Sequence, residues 1–276
     1  GTYSTIESGN SIIVNVGSGS INLKNIYANA DAININGDTI AFERKNVVLT
    51  NDDNEIEIYR DSISVIGSAG DDEISNNASF VSINGGEGND SINNSGASVT
   101  INAGTGNDYI DNYGENVLFQ YAGGSDTING FNETSTLQVM EGTISDAYLN
   151  NDGAFLKIGS DTLLLSNLTN TNKINVIQSG GQSEYTIEKI QGTDESDNFD
   201  TALSNISIQA LGGDDNITVE ADAVKVTVMG GSGADAIENS GINTTIYGEA
   251  DNDSISNYGN SAVIDAGTGD DEISNS

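Results

Sequence analysis

The sequence predicts an all-β protein of two cassettes. Each is a β-hairpin-rich segment followed by a right-handed parallel β-roll, or β-solenoid, of about five 18-residue coils. Three observations carry that prediction. Aspartates return on an 18-residue beat behind glycine-rich bends. Aliphatic residues keep fixed distances from those aspartates. The whole pattern then repeats roughly 140 residues further on.

From Asp72 the beat lands on Asp90, Asp108 and Asp126, and late in the chain it runs from Asp235 to Asp253 and Asp271. Asp197 to Asp215 is again 18 residues, whereas Asp215 to Asp235 is 20, which places a two-residue insertion on the side of the coil opposite the aspartate. The bends before them read GSAGDD, GGEGND, AGTGND and YAGGSD, then GGSGAD, GEADND and GTGDD. Glycine frees the backbone for a tight bend, and the aspartate ends that bend with a carboxylate. Two residues after the first four aspartates stand Ile74, Ile92, Ile110 and Ile128.

The remainder of each coil is equally regular. Val81 and Ile83, Val99 and Ile101, and Val117 and Phe119 alternate with polar neighbours, which puts them on one face of a short strand. One coil cannot bury so few apolar groups alone, but coils stacked above and below it can. Asparagines also recur at a fixed depth, at Asn76, Asn94 and Asn112 and again at Asn239, Asn257 and Asn275. Stacked coils turn each set into an asparagine ladder at a bend.

At the cassette level, Gly17 answers Gly159, Leu23 answers Leu165 and Asn25 answers Asn167. Asp72 answers Asp215 and Asp126 answers Asp271, an offset of 143 to 145 residues. The expected divisions are a strand and hairpin segment over 1–53, a first roll over 54–131, a second strand segment over 132–196 and a second roll over 197–276. SIIVNVGSGSINL and AFLKIGSDTLLL read as hairpins closed by Gly-Ser turns. YANADAININGDTIAF and TNTNKINVIQSGGQSEYTIEKI read as further strands leading into the rolls. Cassettes that start in mid-unit read as a piece of a longer tandem array.

Composition narrows the function. Acidic residues outnumber basic ones by 42 to 8, for a formal net charge of −34. That sign repels nucleic acid and anionic membranes and favours cations. The sequence has neither cysteine nor histidine, which excludes disulfides, thiolate metal sites and imidazole catalysis. No apolar run approaches the ~20 residues of a membrane span. Zinc hydrolysis and Ser-His-Asp chemistry both need histidine. An arginine base would have to come from Arg44 or Arg60, which lack counterparts in the second cassette. No pair among so many carboxylates stands out as a glycosidase site. An enzyme is therefore not expected.

Calcium is the cation such coils suit. It takes six to eight oxygen ligands in flexible geometry, and glycine bends expose main-chain carbonyls. Carboxylates stacked at the ~4.8 Å strand spacing repel one another unless a cation lies between them. The repeat moreover resembles the GGxGxDxUx nonapeptide of the RTX (repeats-in-toxin, haemolysin-type) calcium-binding family. The resemblance is clear over 67–130 and 210–276 and weak over 49–66 and 191–209, including the turns near Asn54 and Asp197. DTINGFNETSTLQV, at 126–139, is similar to the sequence that closes such arrays.

The resemblance implies that glycine-segment carbonyls and sixth-place aspartates hold several Ca2+ ions between successive coils. In the first roll the implied site residues are Gly67, Gly70, Asp72, Gly85, Gly86, Gly88, Asp90, Gly104, Gly106, Asp108, Gly124 and Asp126. In the second they are Asp197, Gly212, Gly213, Asp215, Gly230, Gly231, Gly233, Asp235, Gly248, Asp251, Asp253, Gly267, Gly269 and Asp271. RTX rolls repeat the nonapeptide on both edges, but here alternate bends such as NNSGAS and NYGEN lack the acid. One calcium column per roll is therefore expected, on one edge, with the bends around Gly96, Gly114, Gly241 and Gly259 metal-free.

The expected function is a calcium-binding structural or adhesive repeat module of a large secreted or cell-surface bacterial protein, set by extracellular calcium; the RTX resemblance implies export by a type I pathway. Its partners would be calcium, neighbouring cassettes or a cell-surface ligand. One alternative is an accessory secretion module of an extracellular enzyme. Another is an ice-binding solenoid, suggested by AGTGND. Thr105 and Asn107, however, stack beside Glu87 and Asn89 and beside Gly123 and Ser125, so the outward ladder breaks at every second rung.

Overall fold

The computed structural model of the chain describes residues 46–168 and 171–276, together with the backbone strands Tyr3–Ser8, Ser11–Val16, Gly19–Leu23, Ala32–Ile35 and Asp38–Ala41. Gly17, Asn25 and Arg44 lie outside the described residues. The described chain is all β with no helix, and it forms a parallel β-solenoid with 18-residue spacing. Two compact units emerge. One comprises Gly1–Ile144, Lys157–Ser166 and Ile174–Glu184; the other comprises Ser145–Leu156, Asn167–Lys173 and Tyr185–Ser276.

In the first unit each coil contributes two short strands to two parallel walls. One wall runs through Asn46–Val48, Ser64–Ala69, Ser82–Glu87, Thr100–Thr105, Leu118–Tyr121 and Thr136–Val139. The other runs through Glu55–Ile58, Glu73–Asn76, Ser91–Asn94, Tyr109–Asn112 and Thr127–Asn129. Equivalent residues pair in register, Ile83 with Ile101 and Ile92 with Ile110. Ile74, Ile92, Ile110, Ile128, Val65, Ile83, Ile101 and Phe119 are all buried in the interior between the walls. Each such side chain contributes roughly 1.5–3 kcal/mol by burial, so the core is a pair of aliphatic columns rather than a cluster. The first roll is closed by Leu164–Ser166, parallel to Thr127–Asn129, and by Asn175–Ile177, parallel to Thr136–Gln138.

The second unit repeats the plan through Lys189–Gln191, Ser207–Gln209, Thr227–Ser232, Thr245–Ala250 and Val263–Asp265. Its other wall is Asn198–Thr201, Asn216–Val219, Ala236–Asn239, Ser254–Asn257 and Glu272–Asn275. Ser207 pairs with Thr227 and Asn216 with Ala236, both 20 residues apart. The two extra residues fall between Val219 and Thr227, where Ala223 N–H donates to the Glu220 carbonyl. This is the edge opposite the aspartates, as the long step implies.

Ahead of the first roll, the described strands within residues 3–41 pair antiparallel. Tyr3–Ser8 pairs with Ser11–Val16, and that strand pairs with Gly19–Leu23; the Gly-Ser turn expected between them lies outside the described residues. Ala32–Ile35 pairs with Asp38–Ala41, inside the stretch read as further strands. The AFLKIGSDTLLL stretch likewise holds the strands Gly153–Ile158 and Asp161–Ser166.

Candidate cation-binding edge

Each glycine bend enters from a strand of the first wall and delivers its aspartate to the start of the second. Numbering the bend from one to six puts Gly67, Gly85, Gly230 and Gly248 in first place and Asp72, Asp90, Asp235 and Asp253 in sixth. The fold needs glycine here for two reasons. Gly86 and Gly88, in second and fourth place, both hold φ at 124°, a region L side chains rarely adopt. A β-carbon on Gly86 or Gly88 would also collide with the carbonyl of Ser68 or Gly70 in the preceding coil.

The aspartates turn inward. Asp72, Asp90, Asp108, Asp215, Asp235 and Asp253 are each 3% exposed or less. One oxygen of each is satisfied: Oδ1 accepts the main-chain N–H of the sixth residue one coil earlier, from Asn54→Asp72 to Asp108→Asp126 and from Asp197→Asp215 to Asp253→Asp271, at 2.7–3.0 Å. The other is not. Oδ2 of Asp72, Asp90, Asp108, Asp215, Asp235 and Asp253 is buried without a hydrogen-bond donor among the described residues. A buried, unsatisfied carboxylate oxygen is costly, and a column of them more so.

Those oxygens face a second set. A β-carbon added to Gly85 would strike both Asp90 Oδ2 and the Ala103 carbonyl of the next coil. At Gly67 it would strike Asp72 Oδ2 and the Gly85 carbonyl, and at Gly248 Asp253 Oδ2 and the Ala266 carbonyl. Carboxylate and carbonyl oxygens thus converge on the space the missing side chain leaves. Among the described residues no three acidic side chains converge on one point. A cation here would draw on one carboxylate per coil and take its remaining ligands from main-chain carbonyls, a donor set of hard oxygens that fits calcium.

Electrostatics agree with the geometry. Burial, ahead of the neighbouring aspartates, pushes the carboxyls of Asp90 and Asp235 up to about 6 and that of Asp126 up to about 7. Asp72, Asp108, Asp215 and Asp253 are raised for the same first cause. Without a cation, the edge favours protons.

The opposite edge is closed without charge. Asn76 Nδ2 donates to Asn94 Oδ1 at 2.7 Å and Asn94 Nδ2 to Asn112 Oδ1 at 2.8 Å. The second unit repeats this from Asn239 to Asn257 and Asn257 to Asn275, both at 2.6 Å. Asn94 also accepts from Gly96 N–H and donates to the Gly96 carbonyl. Amides here meet the carbonyls that on the aspartate edge face carboxylates.

Some implied site residues stand differently. Asp251 occupies fourth place rather than sixth; it is exposed, and its Oδ2 accepts from Gly233 N–H at 3.2 Å. Asp197 is half-buried, and its Oδ2 already accepts from the main chain and hydroxyl of Thr193. Gly212 is in third place and bridges to Ser232, the third-place residue of the next coil. Asp271, in the last coil, is partly exposed. Gly70, Gly104, Gly106, Gly124, Gly213, Gly231, Gly233, Gly267 and Gly269 occupy second or fourth places, all with positive φ.

Other residues at this edge escaped the sequence reading. Gly192 is a first-place glycine facing Asp197 Oδ2 and the Ala210 carbonyl, and counting five residues back from Asp197 finds it. Tyr121 takes first place at the end of the first roll, where its hydroxyl donates to the Gly124 carbonyl at 2.6 Å. Asp161 Oδ2 accepts from Gly124 N–H at 3.3 Å and adds its charge beside Asp126. No periodicity marks Asp161, because it arrives from outside the roll.

No protein-family model matches the sequence, and the search of curated proteins found no match. Among solved structures, the extracellular lipase LipA of Serratia marcescens is similar to this chain, with a TM-score of 0.33 and 17% sequence identity over 67% of this chain. The chain spans 35% of the length of that lipase.

Proposed function

We propose that the chain is a calcium-binding structural repeat module of a secreted or cell-surface bacterial protein, folded and stiffened by extracellular calcium, and that its own residues catalyse nothing. The observation that supports this reading is the column of buried, donorless Asp Oδ2 atoms on one edge, which at Asp72, Asp90, Asp235 and Asp253 face main-chain carbonyls across the space left by a first-place glycine. A divalent cation there neutralises stacked carboxylates and completes their coordination, so binding free energy becomes folding free energy. Extracellular calcium modules bind at roughly 10⁻⁴–10⁻³ M, so the rolls stay loose in a low-calcium cytosol and set after export. The repeat's resemblance to RTX sequences supports the same cation and the same compartment. The adhesive role rests on the cassette organisation and on the lack of histidine and cysteine. Isothermal titration with calcium, beside thermal melting in EGTA and in millimolar calcium, tests the proposal. Binding heat with a higher melting temperature is the expected result, and an unchanged melting temperature would refute a structural ion.

A further inference from the structure

The two outer walls of the first unit differ in charge. On the wall that leads into the glycine bends, the three residues of each strand ahead of the bend pair in register from Asn46–Val48 to Thr136–Gln138. The first and third of each triplet point outward, and none of them is charged. They form a hydroxyl column through Ser64, Ser82 and Thr100 beside an amide column through Asn84, Asn102 and Gln120. Outward on the other wall stand Glu55, Glu57, Glu73 and Asp111. In a chain of net charge −34, a strip free of charge is an exception, because soluble surfaces ordinarily intersperse charged groups.

The second unit makes the same exception with different residues. Through three successive coils, between Lys189 and Asp265, the outward residues are Ser207, Gln209, Thr227, Met229, Thr245 and Tyr247, while Asp200 and Glu238 stand outward on its other wall. What recurs is the lack of charge, not the residue. The amide column of the first unit is also not closed on itself as the asparagine edge is. Gln120 Nε2 donates to Gln138 Oε1 at 3.0 Å, but Asn102 Oδ1 has no donor among the described residues, and Asn84 is exposed.

We propose that this uncharged face binds a linear, uncharged polysaccharide laid along the axis of the roll. Charge selects the partner. Anionic polymers are repelled by the whole chain, and a cationic partner is drawn to the acidic wall instead. Size argues against a second copy of the chain. Strands at ~4.8 Å and three residues at ~3.3 Å each make a strip roughly 25–30 Å long and ~10 Å wide, near 300 Å². A stable protein interface needs about 800 Å² from each partner, and here both would carry −34. A single polysaccharide chain fits such a strip, because a pyranose ring in an extended chain advances by close to the strand spacing and so meets one coil per ring. Serine, threonine and amide side chains both donate to and accept from sugar hydroxyls. Ile66, 37% exposed, and Tyr247, 40% exposed, offer apolar surface to the ring faces. This names a ligand class for the adhesive role and rests on that part of the proposed function, not on the cation edge.

Native affinity electrophoresis of the 276-residue chain, through gels containing a soluble β-glucan, a galactomannan, dextran or, as the anionic control, polygalacturonate, tests the proposal. Retardation by at least one of the three neutral polymers and none by polygalacturonate is the expected result. A chain carrying Asn84→Ala, Asn102→Ala, Gln209→Ala and Tyr247→Ala should be retarded at least tenfold more weakly. Asn84→Glu with Tyr247→Glu, both at exposed positions, raises a long side chain from each strip and should have the same effect without touching the core. Ser75→Ala with Asn93→Ala, on the acidic wall, should change nothing. No retardation by any neutral polymer, or variants of the neutral face that bind as wild type does, would overturn the proposal. So would wild-type self-association, or a thermal-hysteresis gap, that the Asn84→Glu and Tyr247→Glu chain loses, since the face would then belong to a second copy or to ice. Calcium is the same in every arm and binding heat for calcium is read separately, so failure here leaves the cation edge standing.

Discussion

Asn94 uses every hydrogen-bonding group of its amide: two donations, to Asn112 and the Gly96 carbonyl, and two acceptances, from Asn76 and Gly96 N–H. Truncating it strands partners on both sides in a fully buried site. Asn94→Ala should cost about 2–4 kcal/mol, measured as a lower urea midpoint for the first roll, because each unsatisfied buried group costs roughly 1–3 kcal/mol. Leu211 presents the opposite case. It holds second place in its bend with φ at 80°, where Gly86, Gly104, Gly231 and Gly267 stand in other coils, and its side chain is 43% exposed. Leu211→Gly relieves left-handed strain of roughly 1–2 kcal/mol against a glycine entropy cost of about 0.5–1 kcal/mol. The expected result is a small rise in melting temperature; a fall would show that the leucine contributes more by packing than the strain costs.

At the scale of the coil, the two edges solve one problem in two ways. Both stack polar side chains at strand spacing against exposed carbonyls. Neutral amides donate and accept, so the asparagine edge closes by itself. Carboxylates only accept, so the aspartate edge needs a proton or a cation. The consequence for pH is definite. Asp90 and Asp235 have folded values of about 6 and Asp126 of about 7, against 3.8 for an unperturbed carboxyl. A raised folded value means the calcium-free fold binds protons more tightly than the unfolded chain does. Stability from these groups is therefore full below about pH 4 and is lost as pH rises through about 6 to 7. Calcium needs the ionised carboxylate, so the calcium-loaded protein should show the reverse slope as protons cease to compete. Melting from about pH 5 to about pH 8 should then trend down in EGTA and up in millimolar calcium. Parallel slopes would exclude an ion at these aspartates.

At the scale of the molecule, a net charge of −34 rests on a thin core of aliphatic columns. The two compact units each carry their own aspartate column, so their responses should separate. Asp90→Asn with Asp108→Asn removes two carboxylates from the first column only. An amide is compatible with sixth place, since Asn54 already stands there and donates to Asp72 Oδ1 at 3.0 Å. The double variant should lose much of the calcium-dependent rise in melting of the first unit while melting no lower than wild type in EGTA. The transition of the second unit should stay nearly unchanged. A uniform loss in both EGTA and calcium would assign these aspartates a packing role instead.

The coil, its 18-residue length, the inward isoleucines and the asparagine ladder were legible in the sequence because a solenoid repeats its environment. Each position meets its own equivalent one period away, so periodicity in the chain is periodicity in space. The two-residue excess between Asp215 and Asp235 was located on the opposite edge for the same reason. Tertiary structure alone decided which oxygen of each aspartate is satisfied and which is left bare, because that depends on the main-chain N–H of the coil before. It also decided that Asp251 faces outward from fourth place and that Thr193 occupies Asp197. Where the period stops, legibility stops with it. Asp161 beside Asp126, Tyr121 over Gly124 and Leu165 on Ile128 are contacts between residues of unlike pattern. Closing a roll requires a partner that is not the next repeat, and no periodic signal names one.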